Sequence, residues 1–407
     1  MRRDLDVIVF GATGFTGRLV AQYLQTCSGA ARRRTWGIAG RDREKLVQVR
    51  DLIGAPASLP LMLADASDTE SLARLVAQAR VVISTVGPYQ LHGEPLVAAC
   101  AQAGTDYVDL CGEPAWMAQM ITAYQTRAHA SGARIVFSCG FDSIPFDLGV
   151  VYLQTHALQR YGVPLSRVHG RVRVLKGGAS GGTVASLLTT LEQVRQDPRL
   201  ARTLADPFAL TPGFRGPGQP DDLSATYDGW AQSWTGPFIM APINTKNVHR
   251  TNALRGHPWG TDFVYDERML TGDGMPGWWR AQALAQSMRA QAALLGLAPA
   301  RELLRRFVLP QPGTGPGERQ RAAGRYEVVF IGQTADGRRL RARVEGDRDP
   351  GYGSTSKMIA QSALCLLGDV DRSATPGGVW TAGAAMGLAL IRRLQAHAGL
   401  TFAVEED

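Results

Sequence analysis

The sequence predicts an α/β protein in which an N-terminal doubly wound parallel sheet is joined to an α+β domain with a mainly antiparallel sheet. Three observations support this fold class. Short apolar segments alternate with helical ones over the first third of the chain, and a glycine-rich turn follows the first of them. Further on, two alternating segments flank Ala335-Asp336-Gly337 without an intervening helix, which indicates an antiparallel hairpin.

The strand candidates of the first domain are apolar on both faces, as buried parallel strands are. They are Leu5–Phe10, Thr35–Ala39, Leu59–Leu63, Val81–Val86, Tyr107–Leu110 and Arg134–Ser138. The helical segments between them are Thr16–Thr26, Asp42–Leu52, Thr69–Gln78, Glu94–Ala103 and Ala115–Ser131. Strands that alternate with helices in this way are typical of a dinucleotide-binding sheet of the Rossmann type.

The pattern changes after Asp147, where a second domain is expected to begin. Residues 196–245 show no period, and we interpret them as a long ordered loop or lid. Its aromatic and apolar members would anchor the loop or meet an apolar ligand; they are Trp230, Trp234, Phe238 and Met240. The predicted regular elements of this part are strands Val168–Leu175, Asp262–Glu267, Tyr326–Gly332 and Arg339–Gly346, and helices Thr183–Val194, 278–306, Ser356–Leu367 and one from Thr375-Pro376 to about Ala398.

The glycine-rich turn predicts where a dinucleotide binds. Its residues are Gly11-Ala12-Thr13-Gly14-Phe15-Thr16-Gly17. Gly11 would make the tight turn, Gly14 would let the backbone approach a pyrophosphate, and Gly17 would let the helix pack against the sheet. The helix N-terminus adds free N–H groups and a partial positive charge. Because the turn lies directly between a strand and a helix, we predict that it binds the cofactor.

The end of the second strand indicates which dinucleotide is bound. An NAD site usually has Asp or Glu there for the ribose 2′-hydroxyl. This chain has Arg41 instead, with Lys45 one helical turn further on, and a guanidinium suits a 2′-phosphate. We therefore predict NADP(H) and interpret Asp42 as a helix N-cap. Asp65, after the third strand, either approaches the adenine end or caps a turn.

The loop after the fourth strand contains Val86, Gly87 and Pro88, and in this fold it passes close to the nicotinamide ribose. Tyr89 and His92 follow in the same loop. Tyr89 is a candidate catalytic residue and His92 a candidate substrate ligand. The alternatives are that Tyr89 only forms a wall of the pocket and that His92 makes structural hydrogen bonds.

Composition limits the partners. The net charge of +8 suits anionic partners such as phosphates, acyl carriers or an anionic lipid surface. We expect no nucleic-acid binding, because no recognition motif accompanies the charge. The five cysteines form no CxxC pair and no metal-ligand spacing, so we expect reduced thiols, no metal and a cytoplasmic protein, with peripheral membrane contact left open. The sequence contains no run of 18 uncharged apolar residues, so we expect no membrane-spanning helix.

Several stretches, in order along the chain, resemble the saccharopine dehydrogenase-like oxidoreductases and, more narrowly, the bacterial trans-acting enoyl reductase group. Besides the turn at residues 11–17, they are Ala39-Gly40-Arg41, Val86-Gly87-Pro88-Tyr89, Tyr107-Val108-Asp109-Leu110, Gly112-Glu113, residues 140–149, Gly181-Gly182-Thr183, residues 244–254, residues 351–358 and Ala385-Met386-Gly387. Ser354 and Ser356 depart from the group, in which Ala or Thr is frequent there.

The resemblance implies an NADP-binding domain at residues 1–147, a substrate and dimerisation domain at 148–350, and a helical segment at 351–407 that packs back near the first domain. It implies hydride transfer from NADPH to the C=C bond of an enoyl thioester on an acyl carrier, in lipid or polyketide metabolism. A homodimer is compatible with it. One alternative is a saccharopine-type dehydrogenase acting on a C=N bond. A third hypothesis is a non-catalytic NADP-binding protein at a lipid surface.

Enoyl reduction requires stabilisation of charge at the thioester oxygen and a proton for the α-carbon. Tyr352, Ser354, Thr355 and Lys357 form a polar cluster after Gly351, with Tyr352 and Lys357 as catalytic candidates and Ser354 as a substrate ligand. The alternative is a glycine-rich turn that leads into a helix, with Lys357 on a solvated face.

The remaining substrate candidates lie at helix starts. Asp142 and Ser143 precede a helix, and the interpretation that one of them caps it is favoured over substrate binding. Gly182 and Thr183 open a helix whose free N–H groups would bind a carboxylate, thioester oxygen or phosphate, although a plain helix start is equally consistent. Asp109 and Glu113 are open between orienting the cleft and making structural hydrogen bonds.

Overall fold

The computed structural model describes residues 3–27, 34–177, 181–197, 199–220, 223–296 and 315–405. In chain order, the strands in these ranges are β1 (Leu5–Phe10), β2 (Trp36–Gly40), β3 (Leu61–Leu63), β4 (Ala79–Ser84), β5 (Asp106–Val108), β6 (Arg134–Val136), β7 (Leu165–Lys176), β8 (Thr226–Asp228), β9 (Ser233–Pro237), β10 (Val264–Gly272), β11 (Arg325–Thr334), β12 (Arg339–Gly346), β13 (Gly378–Trp380) and β14 (Leu400–Glu405).

The helices in the same ranges alternate with these strands in the first part of the chain. They are α1 (Phe15–Thr26), α2 (Arg43–Leu52), α3 (Thr69–Gln78), α4 (Tyr89–His92), α5 (Glu94–Ala103), α6 (Pro114–Ser131), α7 (Ile144–Tyr161), α8 (Gly181–Gln196), α9 (Arg199–Ala205), α10 (Ala241–Leu254), α11 (Gly274–Gly296), α12 (Glu318–Ala323), α13 (Thr355–Gly368), α14 (Ala382–Ala385) and α15 (Gly387–His397). None of these described helices combines the length and apolarity that crossing a membrane requires.

The first sheet is parallel throughout, with strand order β3-β2-β1-β4-β5-β6-β13. The first six strands follow the order of a dinucleotide-binding sheet. The chain winds outward from β1 to β3 on one side and from β4 to β6 on the other, so the switch point lies between β1 and β4. Val7 pairs with Trp36 on one side and with Val81 on the other, so β1 is central. Helices cover both faces, which is why these strands are apolar on both sides.

The second sheet has the order β14-β12-β11-β7-β10-β9-β8, and its neighbours are antiparallel except β7 with β10. Its inner face packs on α7. At Gly149 of that helix a Cβ would lie 2.3 Å from the ring of Phe330 on β11, so glycine permits the close approach. The two sheets, one parallel and one mainly antiparallel, confirm the predicted fold class.

The end of the chain returns to the first sheet. A π-helical turn, Pro350–Ser354, leads into α13, which packs on α1, where Gln361 donates to the hydroxyl of Tyr23 at 2.7 Å. Strand β13 then pairs with β6, so the single helix predicted from Thr375 onward was wrong. The exposed edge of β6 offers backbone partners to residues 378–380, and two shorter helices, α14 and α15, follow this strand.

Residues 196–245 also differ from the prediction of an irregular loop. They contain α9, β8 and β9 and the start of α10, because β9 pairs with both β8 and β10. This pairing joins segments that lie far apart in the sequence, so local periodicity does not reveal it. The predicted helix at 278–306 begins earlier, at Gly274, and its end beyond residue 296 lies outside the described residues.

Candidate active site

The turn between β1 and α1 is shaped by glycines. Gly11 has φ +86°, and a Cβ there would lie 2.7 Å from Cγ2 of Val86 and 2.8 Å from Oγ1 of Thr85. At Gly17 a Cβ would lie 2.3 Å from the carbonyl oxygen of Gly11. Gly14 is the N-cap of α1 without a side-chain cap, and the first turn of α1 has no acidic residue. The N–H groups at this helix start are therefore available to a phosphate.

A cleft with about 1020 Å³ of empty space opens at this turn, at the carboxyl ends of the parallel strands. It brings together loops that are far apart in the sequence. The lining residues are Phe10, Gly11, Thr13, Gly14, Gly40, Arg41, Ala64, Asp65, Ala66, Ser67, Thr85, Val86, Gly87 and His92. Most of the predicted cofactor residues thus lie in one cleft, and the predicted substrate residue His92 lies there as well.

The two charged residues of this cleft differ in their surroundings. Arg41 is exposed at the end of β2. Asp65 accepts hydrogen bonds from the backbone N–H of Ser67, at 2.9 Å, and from its hydroxyl, at 2.7 Å. These bonds, with a smaller contribution from Arg41, lower the pKa of Asp65. Asp65 therefore caps a turn, as one of its two interpretations stated, and Arg41 remains open to a ligand at the cleft.

The start of α2 carries the other two charged residues of the predicted cofactor site. Asp42 accepts from the backbone N–H of Lys45 at 3.1 Å and is the N-cap of α2, as the sequence predicted. The ammonium of Lys45 is exposed and lies 3.6 Å from Asp42. Lys45 does not line the cleft in the described part of the chain, so Arg41 is the better-placed cation for a phosphate.

Tyr89 lies in the interior of the first domain. Its hydroxyl donates to the carbonyl oxygen of Ser84 and accepts from the backbone N–H of Leu110, each at 3.1 Å. Burial raises the pKa of Tyr89 well above its ordinary value. This geometry argues against the catalytic role predicted for Tyr89, because the hydroxyl is committed to backbone partners and holds the loop after β4 in position.

Glu113 also binds the loop after β4. Its carboxylate accepts from the backbone N–H groups of Tyr89, at 3.0 Å, and Gln90, at 2.7 Å. Of its two interpretations, orienting the cleft therefore fits the geometry. Asp109, in contrast, accepts from the backbone N–H groups of Cys111 and Ser138 and from the hydroxyl of Tyr107, all inside the first domain.

A second cavity lies between the first sheet and the second domain, with about 790 Å³ of empty space. Thr16, in the first turn of α1, connects it to the glycine turn. Its lining is mostly apolar and consists of Thr16, Leu110, Gly140, Phe141, Asp142, Leu175, Gly177, Phe238, Ile239, Met240, Pro350, Gly351 and Thr355. Phe238 and Met240 thus have the ligand-facing position that the sequence allowed them, whereas Trp230 stacks on His169, with ring centroids 4.2 Å apart.

Asp142 carries the one acidic side chain among the described lining residues of this cavity. Burial raises the pKa of its carboxyl to about 7. Asp142 is not the N-cap of α7. Ser143 occupies that position, as the sequence allowed, but its side chain makes no cap hydrogen bond. The hydroxyl of Ser143 instead accepts from Nδ2 of Asn247 at 2.9 Å. Tertiary contacts with α10 thus replace the local cap.

The polar cluster around residues 351–357 is divided by the start of α13. Gly351 and Thr355 line the cavity, and the hydroxyl of Thr355 accepts from the N–H of Phe141 at 3.0 Å. Ser354 is fully buried, and its hydroxyl pairs with that of Tyr326 at 3.0 Å. Lys357 donates to the carbonyl oxygen of Ala398 at 3.4 Å. Neither Ser354 nor Lys357 is therefore at the cavity, which argues against their predicted roles.

Tyr352 lies beside the glycine turn. Its ring meets that of Phe15 edge-on, with centroids 4.8 Å apart, and its hydroxyl-bearing side chain is buried.

Gly182 and Thr183 lie in the first turn of α8, as predicted, but their side chains lie outside the described residues. Among the described residues, no group of three His, Cys, Asp or Glu side chains could hold a metal ion.

Comparison with known proteins decides the family. The family model for the saccharopine dehydrogenase NADP binding domain matches residues 7–136. A Mycobacterium tuberculosis protein named as a trans-acting enoyl reductase is 42% identical, over 97% of this chain and 96% of its own length. The trans-acting enoyl reductase of Mycobacterium ulcerans is 38% identical over the same shares. The chain belongs to the trans-acting enoyl reductase family.

Membership of this family makes the chain an NADP-dependent oxidoreductase, as the sequence predicted. The cleft described above fits the cofactor: glycines at the turn leave no room for a Cβ, and an exposed guanidinium stands at the end of β2. The fold of this family member is also that of a saccharopine dehydrogenase (L-Glu forming) from Saccharomyces cerevisiae, with a TM-score of 0.55, 12% identity and coverage of 99% of this chain and 100% of that one.

Proposed function

We propose that this protein uses NADPH to reduce the C=C bond of an α,β-unsaturated acyl thioester. The observation that carries the proposal is the apolar cavity beside the cofactor cleft, whose lining includes Phe141, Phe238 and Met240. Its described lining contains no Arg, Lys or His side chain. Such a cavity suits an acyl chain, and the relatives named as enoyl reductases support the same chemistry.

The residues of the first cleft divide the cofactor among them. The backbone at Gly11, Thr13 and Gly14, with the start of α1 at Phe15 and Thr16, would hold the pyrophosphate, while Gly17 keeps α1 close to the sheet. Arg41, assisted by Lys45, would pair with the 2′-phosphate, and Asp65 keeps its loop folded at the adenosine end. Val86, Gly87 and Pro88 would lie along the nicotinamide ribose. Bound NADPH supplies the hydride that adds to the β-carbon of the substrate.

The lining of the cavity disfavours the amino-acid dehydrogenase alternative. Substrates of that class carry several charges, and binding them in a buried site requires charged partners, because an unpaired buried charge is costly. The described cavity offers one carboxyl, that of Asp142, and no cation. A non-catalytic NADP-binding protein remains the outcome to be expected if the cofactor binds and no substrate turns over.

The proposal extends to how the substrate arrives. Ile239 lines the cavity and is half exposed, so the cavity meets solvent at this residue. A thioester presented there by an acyl carrier, in the cytoplasm, would reach the cavity without leaving the carrier, and the net charge of +8 favours an acidic carrier. A homodimer and peripheral contact with a lipid surface belong to the same proposal and are tested by sedimentation and vesicle flotation.

NADPH oxidation by the purified protein, with trans-enoyl thioesters of graded chain length, tests the function. Turnover with NADPH, little with NADH and none with imine-forming amino-acid substrates is expected. Met240→Lys should abolish turnover of long-chain thioesters and leave NADPH binding intact, because it adds a cation to the apolar lining. Met275→Lys, at an exposed position on α11, is the matched control. NADPH binding without turnover of any enoyl thioester would refute the proposal.

A further inference from the structure

We propose that Asp142 is the proton donor to the α-carbon of the enoyl thioester, an inference that rests on the proposed function. Asp142 follows β6 at the carboxyl end of the parallel sheet, where ligands of such sheets bind. It lines the cavity together with Thr16 of the glycine turn and Gly351 of the π-helical turn before α13. The carboxyl therefore lies between the cofactor turn and the apolar lining that would receive the acyl chain.

The backbone directly after Asp142 is held in place. The N–H of Ser143 donates to the carbonyl oxygen of Ser138, and the N–H of Ile144 donates to that of Gly140, each at 2.9 Å. The hydroxyl of Ser143 is bound by Asn247 from α10. These bonds tie the segment to the first sheet and to the second domain at once, so the carboxyl is presented to the cavity from a rigid support.

No described side chain neutralises this carboxyl. Burial is the one cause that raises its pKa to about 7, with no contribution from a cation or a hydrogen-bond donor among the described residues. The elements nearest to it are the loop after β5, where Oδ2 of Asp142 lies 3.7 Å from the position that a Cβ would take at Gly112, α10, whose Asn247 binds Ser143, and the start of α13, whose Thr355 binds Phe141. On the loop after β5, the carboxyl of Asp142 interacts with the thiol of Cys111 and helps to raise the pKa of that thiol.

Three other candidate donors are committed elsewhere. The hydroxyl of Thr355 donates to the carbonyl oxygen of Pro350 at 2.7 Å and accepts from Phe141. Tyr89 and Lys357 bind backbone carbonyls away from the cavity. A carboxyl that is protonated near neutral pH matches the requirement for a general acid, whose most effective pKa lies near the working pH.

When the β-carbon has received its hydride, the former C=C electron pair resides on the α-carbon and thioester oxygen as an enolate. The O–H bond of Asp142 breaks, and this electron pair forms the new C–H bond at the α-carbon. The substrate is thereby reduced by one hydride and one proton, NADPH is oxidised, and the carboxylate of Asp142 regains a proton from water.

The test compares Asp142→Asn with Asp109→Asn, which alters a fully buried carboxyl, also with a pKa of about 7, that does not line the cavity. The substrate is a 2-methyl enoyl thioester, because protonation then creates a stereocentre at the α-carbon. We expect Asp142→Asn to lower kcat by about 100-fold or more, to leave the Kd for NADPH unchanged, and to yield residual product that is racemic at the α-carbon. Asp109→Asn should retain both rate and stereochemistry.

A second readout does not depend on activity. Infrared spectra of the protein without substrate should contain protonated-carboxyl absorption that titrates at about pH 7; Asp142→Asn should remove the part that Asp142 contributes, and Asp109→Asn should leave that part in place. Unchanged rate and stereochemistry in Asp142→Asn, while the wild-type protein turns over, would overturn this inference and leave the proposed function standing. An ionised Asp142 at about pH 5 would overturn it as well. Absence of turnover in the wild-type protein would overturn both.

Discussion

Ser186 on α8 donates a hydrogen bond of 2.6 Å to the carboxylate of Glu113. The same carboxylate holds the N–H groups of Tyr89 and Gln90, at the end of the loop predicted to lie along the nicotinamide ribose. The buried side chain of Glu113 therefore connects α8 with the loop that follows β4 of the first sheet. The position of this loop depends on the second domain as well as on its own strand.

Replacing Glu113 by Gln tests this dependence. The carboxylate accepts hydrogen bonds from two backbone N–H groups, whereas the amide of Gln has one oxygen and one NH2 group. One of the two backbone N–H groups would therefore face another donor and lose its acceptor. We expect the free energy of unfolding to fall by about 1–3 kcal/mol and the Kd for NADPH to rise. Urea denaturation and fluorescence titration measure the two effects. Ser186→Ala removes a single hydrogen bond and should lower the free energy of unfolding by less. Equal effects of the two variants would contradict the interpretation that Glu113 holds the loop through several hydrogen bonds at once.

Arg41→Asp should reverse the preference for NADPH. A carboxylate at the end of β2 repels a 2′-phosphate and can bind a ribose 2′-hydroxyl. We expect the Kd for NADPH to rise by about 10–100-fold, the equivalent of a charge-assisted hydrogen bond, while that for NADH changes little or falls. Arg74→Asp makes the same change of charge on an exposed part of α3 and is the control. Equal losses in the two variants would exclude a local role for Arg41.

Gly11→Ala combines backbone strain with a steric clash. The φ of +86° disfavours any residue with a Cβ, and that Cβ would meet Val86 and Thr85. Gly54→Ala is a matched control, because Gly54 has φ +66° and its Cβ would have no heavy atom within 4 Å. We expect Gly54→Ala to cost about 1 kcal/mol with NADPH binding unchanged. Gly11→Ala should cost more and abolish NADPH binding; binding that survives would place the pyrophosphate elsewhere.

The pH dependence of stability follows from the buried carboxyl of Asp109. Burial raises its pKa to about 7, above the unfolded value of about 4, so the folded protein holds the proton more tightly. The contribution of this carboxyl to the free energy of unfolding is fully present below about pH 4. It is lost as the pH rises through about 7, and the total loss is about 4 kcal/mol. Asp109→Asn should flatten the fall in the free energy of unfolding over this range, as measured by urea denaturation.

The control for this pH series is Asp336→Asn. Asp336 is exposed and its pKa is lowered to about 2, chiefly by a hydrogen bond from Arg338, so it does not titrate in the range where Asp109 does. Its replacement should leave the slope of stability against pH unchanged. A wild-type protein whose stability rises with pH over this range would show that Asp109 is ionised in the folded state.

Lys357→Met separates a structural lysine from a catalytic one. Burial lowers the pKa of Lys357, and its ammonium donates to the carbonyl oxygen of Ala398, so the side chain joins α13 to the end of α15. We expect a loss of stability of about 1 kcal/mol with turnover of an enoyl thioester nearly unchanged. Loss of turnover with normal NADPH binding and normal stability would restore the catalytic interpretation that the sequence suggested.

The sequence by itself determined the first five crossovers of the parallel sheet, the cofactor turn at residues 11–17 and the NADP preference of the family. Their signals are local: glycines at fixed spacing, an arginine directly after a strand, and apolar runs bounded by caps such as Asp68, whose side chain accepts from the N–H groups of Glu70 and Ser71. Each signal acts within one or two turns of chain, so its physical effect can be read without knowing the rest of the fold.

Only the tertiary structure decided the contacts between distant segments. Strand β13 forms because β6 offers an unpaired edge, and the cluster at residues 351–357 separates because α13 turns Thr355 and Lys357 to different sides. The raised pKa of Asp142 belongs to the same class, since its cause is burial. Burial and desolvation depend on which surfaces meet, and residues far apart in the sequence supply those surfaces.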